Sequence, residues 1–120
     1  MAVELHAGAL KDEFDQRGYV VVRGLLSRAE VEAVKAEMAA LHAQGRIPGC
    51  FEALSPDQTD DPLKVYPRLM HPHRVNGLAK RTMIDPRVMD ILAELFGEEA
   101  LATQSMYYFK PPGARGQALH

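Results

Sequence analysis

Only two stretches of this chain have strand character, and that limits what it can fold into. Tyr19-Val20-Val21-Val22-Arg23 is a β-branched run between Gly18 and Gly24. Leu101 to Lys110 is a longer strand-like run, closed by Pro111-Pro112-Gly113. A two-stranded sheet is marginal in water, and its open edges are an aggregation liability. Two such strands are therefore expected to belong to a larger sheet, with its remaining strands beyond His120.

The rest of the pattern is helical. A first helix is expected from about Gly8 to Arg17, with Leu10, Phe14 and Arg17 along one side and Gly18 as its stop. Ser27 opens a second, because Ser27 and Glu30 have the spacing of a capping box. Val31, Val34, Met38 and Leu41 then form a stripe at helical spacing, and Gly45 ends it. Five prolines and three aspartates make residues 46–74 read as one long irregular segment, of the kind used for lids and functional loops. A short helix is expected at Val75–Thr82. Another is capped by Asp85 with Pro86 in its first turn, buries Val88, Ile91, Leu92, Leu95 and Phe96, and stops at Gly97.

Composition narrows the function classes. The 120 residues carry a net charge of -2, which gives no electrostatic reason to expect nucleic acid. No apolar run approaches the roughly 18 residues of a membrane span, and the N-terminus lacks the basic-then-apolar order of a secretory signal. The single Cys50 has no disulfide partner in the chain and fits a reducing compartment, so a cytoplasmic setting is expected. Cys50 itself reads as a loop or half-buried thiol with no local base to activate it.

Candidate chemistry gathers near the C-terminal run. By strand alternation Gln104, Met106, Tyr108 and Lys110 share one face, while Ser105, Tyr107 and Phe109 share the other. The first set suits a pocket for a polar ligand and suits equally a polar solvent face. His71 and His73 stand two residues apart and could share a metal, but no Cys or carboxylate stands nearby at metal spacing, and surface loop histidines fit as well. Lys64, Arg68 and Arg74 lie in the same irregular segment and could hold a carboxylate or remain solvated. His6 and His42 read as ordinary surface residues. No nucleophile elbow, phosphate loop or dinucleotide fingerprint is present.

Two of these stretches resemble the phytanoyl-CoA dioxygenase family of iron(II)- and 2-oxoglutarate-dependent oxygenases. One is Phe14 to Ser27, a helix, Gly18-Tyr19, a valine-rich run and a turn into a helix. The more specific is Gln104 to His120, with Tyr108-Phe109-Lys110-Pro111-Pro112-Gly113-Ala114 before Gln117 and His120. The resemblance implies an α+β fold: N-terminal helices and the first strands of a double-stranded β-helix (jelly-roll) barrel, incomplete in this chain. Residues 1–120 would be the N-terminal part of one dioxygenase domain, helical over about 8–97, with the first barrel strand and turn over about 100–113.

The resemblance also implies roles. His120 would be the first ligand of a 2-His-1-carboxylate iron(II) site, whose carboxylate is expected two residues later. Met106 and Tyr108 would border 2-oxoglutarate, Lys64 or Arg68 would reach it, and Gln104 would face a small-molecule substrate. By the same resemblance dioxygen would be the co-reactant, 2-oxoglutarate would be decarboxylated to succinate and the substrate would be hydroxylated. With one ligand of three, the chain by itself is expected to bind iron poorly and to be inactive. The competing class is a non-catalytic interaction module derived from the family, binding a partner or a second copy through an open strand edge. A weaker reading is a small metal-binding protein using His71, His73 and His120.

Overall fold

The computed structural model describes residues 8–119; His6 and His120 lie outside the described residues. Five helices and one short antiparallel ladder make up the fold. They follow in the order α1 (Ala9–Arg17), α2 (Arg28–Gln44), α3 (Pro62–Val65), β1 (Leu69–Met70), a 3-10 turn (Pro72–Arg74), α4 (Gly77–Met83), α5 (Pro86–Phe96) and β2 (Met106–Tyr107).

Local code sets the helix ends. Ser27 Oγ accepts from the Glu30 N–H at 3.1 Å, and Glu30 Oε2 accepts from the Ser27 N–H at 2.7 Å, the reciprocal pair that starts α2. Asn76 accepts from the Ala79 N–H to start α4 and donates to Glu37 on α2 at 2.8 Å, so one residue caps one helix and ties it to another. Asp85 accepts from the Arg87 N–H ahead of Pro86. Gly97 ends α5 at φ 74, a left-handed conformation that costs a residue with a Cβ about 1–2 kcal/mol. Arg87 joins the starts of α2 and α5: it pairs with Glu30 at 2.8 Å and Asp85 at 2.7 Å and donates to the Leu25 carbonyl at 3.1 Å.

The core lies between α2, α4 and the ladder. Met38 and Leu41 from α2 pack with Cys50, Phe51, Leu69 and Ala79, and Val34, Ile47, Tyr107 and Phe109 close around them. Val31, expected in the same stripe, is 40% exposed, because the core covers only the second half of α2. On α5 only Leu95 is fully buried; Phe96 is 55% exposed and meets Phe14 of α1 edge-on at 6.5 Å.

Four expectations need correction. Leu101 to Lys110 is not one long strand: only Met106–Tyr107 is paired, because β1 offers just Leu69 and Met70 as partners. Tyr19–Arg23 pairs with no strand among the described residues, and Tyr19 and Val21 stay exposed. Valine-rich composition favours a strand only where a neighbouring ladder takes up its backbone groups. Residues 46–74 are not simply a polar loop, since Phe51 and Leu69 are among the most buried side chains of the molecule. Leu69 pairs with Tyr107 and Met70 with Met106, and the Met70 N–H donates to the Cys50 carbonyl on the other side. His42 is not a surface residue. Its ring stacks on Tyr66 at 4.5 Å and meets Phe51 and Phe109, and its Nε2 lies 3.0 Å from the Val65 carbonyl, fastening α3 to α2. The architecture observed is thus α+β with a two-stranded antiparallel sheet.

Candidate cosubstrate and substrate site

The extended segment from Gln104 to Lys110, with β2 at its centre, alternates as its sequence implies. Ser105, Tyr107 and Phe109 turn inward, and Gln104, Met106, Tyr108 and Lys110 are exposed. The inward set builds the support. Tyr107 and Phe109 meet edge-on at 5.1 Å over the core. The Ser105 carbonyl accepts from the His71 N–H at 2.8 Å, and Ser105 Oγ lies 2.6 Å from His73 Nδ1. The outward set is thereby held against a packed backing instead of floating on a free strand.

Three of the candidate site residues come together on this outer face. Arg68, just before β1, donates from Nη1 to the Tyr108 hydroxyl at 3.4 Å, and that hydroxyl donates to Met106 Sδ at 3.7 Å. Lys110 Nζ lies 5.5 Å from the Tyr108 ring centroid and donates to the Arg115 carbonyl at 2.8 Å. Arg68 forms no ion pair with a carboxylate among the described residues. An arginine beside a phenol, with most of its N–H groups unengaged, is a donor set suited to one carboxylate of a small acid. Lys64 is on α3 and exposed, and its side chain forms no hydrogen bond to Arg68 or Tyr108.

Backbone geometry marks the two ends of the ladder. His71, directly after β1, and Lys110, shortly after β2, have φ of 52 and 49, the two non-glycine residues with positive φ among those described. Such a conformation costs about 1–2 kcal/mol and persists where the surroundings impose it. The turn at Pro111-Pro112-Gly113 is closed by the Ala114 N–H donating to the Pro111 carbonyl at 3.0 Å.

Gln104 sits apart from the arginine, at the junction of two clefts. One, of about 400 Å³, lies between α2, α4 and β2 and is lined by Met38, Met83 and Met106 among others. The next, of about 280 Å³, reaches Met89 and Leu92 on α5. Sequence reading missed this trough, since Met83 and Met89 lie on separate helices and share no periodic signal. A larger cleft of about 530 Å³, at the Glu30–Arg87 pair, contains none of the candidate residues.

Among the described residues, His71 and His73 do not assemble a metal centre. The His71 and His73 rings lie 5.6 Å apart, the buried Nδ1 of His71 has no hydrogen-bond partner among the described residues, and no third ligand joins them. Partial burial, with help from His71, Arg74 and Lys80, pushes His73 below the usual histidine value and favours its neutral form. Cys50 is fully buried, and burial pushes its thiol up, which makes it less reactive. No group of three His, Cys, Asp or Glu among the described residues could hold a metal ion, so residues 8–119 alone do not fit an iron site. No helix among them is long and apolar enough to cross a membrane.

The class so defined is an α+β chain in which a helical scaffold backs a short ladder with a cation and phenol on its outer face. The family model for phytanoyl-CoA dioxygenase (PhyH) matches residues 14–120, and the chain belongs to that family, whose members typically depend on iron(II) and 2-oxoglutarate. No curated protein and no solved structure matches it.

Proposed function

We propose that this chain forms the cosubstrate- and substrate-facing wall of an iron(II)- and 2-oxoglutarate-dependent dioxygenase that hydroxylates a small organic molecule. The observation that carries the reading is the Arg68–Tyr108 contact, which brings together two residues 40 positions apart and leaves the guanidinium without a carboxylate. Arg68 binds one carboxylate of 2-oxoglutarate, Tyr108 donates to it or orients the guanidinium, and Met106 borders it. Lys64 adds positive charge from α3. Gln104 holds a polar group of the substrate. His120, by its place in the family motif, is the first iron ligand, and the remaining ligands come from outside residues 8–119. Iron with 2-oxoglutarate and dioxygen supplies the oxidising chemistry; the residues described here bind, orient and shield the reactants from water.

The test is a calorimetric titration of the chain with 2-oxoglutarate, wild type against Arg68→Ala. Loss of a charge-assisted pair, about 1.5–3 kcal/mol, weakens binding roughly 10- to 150-fold. Equal affinity in the two proteins removes Arg68 from the site.

A second reading, a family-derived interaction module without catalysis, is favoured by the unpaired segment around Tyr19 and Val21, which are 58% and 60% exposed. It expects no 2-oxoglutarate binding by either protein, together with a partner strand seated on that segment.

A further inference from the structure

We infer that the trough on either side of Gln104 takes an elongated, uncharged, mainly apolar molecule with one hydrogen-bonding group, placed against the Gln104 amide. This names a substrate class for the site above and rests on the reading of Gln104 as substrate-facing. The argument begins with charge. None of the described residues lining either cleft is Asp, Glu, Lys, Arg or His. The pocket beneath Arg68, by contrast, includes Glu52 as well as Arg68. An ionised ligand seated in the trough would meet no counter-ion from its lining, which disfavours carboxylates and phosphates there.

Shape and chemistry add the rest. The two clefts share Met83 and Gln104, so they form one path from α2 across β2 to α5. Their volumes, about 400 and 280 Å³, suit a molecule of medium length. Met83, Met89 and Met106 supply three thioethers along that path, over the buried Met38, and thioethers adapt to an irregular apolar outline. Gln104 is exposed and its amide makes no hydrogen bond among the described residues, so it is free to donate to and accept from a hydroxyl or carbonyl. Met106 also lies beside the Tyr108 hydroxyl, so a ligand in the trough abuts the cosubstrate position.

The six methionines provide the readout. The chain is labelled at the methionine methyls with carbon-13 and titrated with 1-decanol or with decanoate, each below its aggregation limit. Decanol is expected to shift the Met83, Met89 and Met106 resonances more than that of Met70, which lines the separate pocket with Arg68 and neighbours the trough only through its pairing with Met106. Decanoate is expected to bind at least about tenfold more weakly. Gln104→Leu is expected to weaken decanol by about three- to tenfold, the loss of one hydrogen bond. Equal affinity for decanoate, equal shifts at Met70, no shifts at all, or shifts that track protein concentration without ligand would each overturn the proposal, the last because a second copy then fills the trough. The readout needs neither iron nor 2-oxoglutarate. Failure of the Arg68 titration with decanol binding intact therefore sinks the reading of Arg68 as the cosubstrate anchor alone.

Discussion

At the residue scale, Arg87 is the most heavily engaged side chain among the described residues. Its contacts hold the Glu30 carboxyl at about 2, against an ordinary value of 4.5, chiefly through hydrogen bonds from the guanidinium and then through the Ser27 N–H. The same contacts push Arg87 above its usual value and Asp85 below its own. A carboxyl whose value is lower in the folded state binds fewer protons there than when unfolded. Its stabilisation is therefore complete above pH 4.5 and is lost as the pH falls towards 2. Both partners are solvent-exposed, so the effect is modest and screened by salt. Urea unfolding of wild type and Glu30→Gln between pH 2 and 7 checks this. The variant should lose stability at neutral pH and show a shallower decline on acidification. Parallel pH profiles would mean that the pair contributes nothing.

At the element scale, the cap of α2 matters because that helix brings Met38 and Leu41 to the core. Ser27→Ala removes the acceptor for the Glu30 N–H and should cost about 1 kcal/mol, read as a lower urea midpoint at unchanged slope. An unchanged midpoint would show that the first turn frays without consequence. Caps and stops of this kind were legible in the sequence because they are local. Ser27 with Glu30, Asp85 with Pro86, and Gly18 and Gly97 each act within a few residues. So was the alternation of β2, since facing depends on period alone. β1 was not legible: two residues among prolines carry no period, and only pairing with Met106 and Tyr107 makes them a strand. His42 was misread for a related reason. It lies off the apolar stripe of α2, and the aromatic residues that bury it, Tyr66 and Phe109, arrive from distant segments. Of the site, the face holding Gln104, Met106 and Tyr108 could be read from the strand, but the partnership of Tyr108 with Arg68 depends on that unseen ladder.

At the scale of the whole molecule, the shape is open. The radius of gyration is 17.2 Å, where about 14 Å is usual for a compact chain of this length. Few side chains are fully buried, and Tyr19, Val21 and Leu101 expose 58%, 60% and 87% of their surface. Burial on this scale offsets little of the ordering entropy of the chain, and each side chain left in solvent forgoes roughly 1.5–3 kcal/mol that full burial would supply. The isolated 120-residue chain should accordingly be marginally stable, bind a hydrophobic dye such as anilinonaphthalene sulfonate, and self-associate through the apolar surface and open ladder edge. Sedimentation velocity over a range of protein concentrations, beside dye fluorescence and a thermal melt, tests this. Larger species at higher concentration, dye uptake and a broad, low melt are expected. A compact monomer that ignores the dye and melts in one sharp step would show that the exposed surface is tolerated, and would move the burden of covering Tyr19 and Val21 from association to a rearrangement of the chain itself.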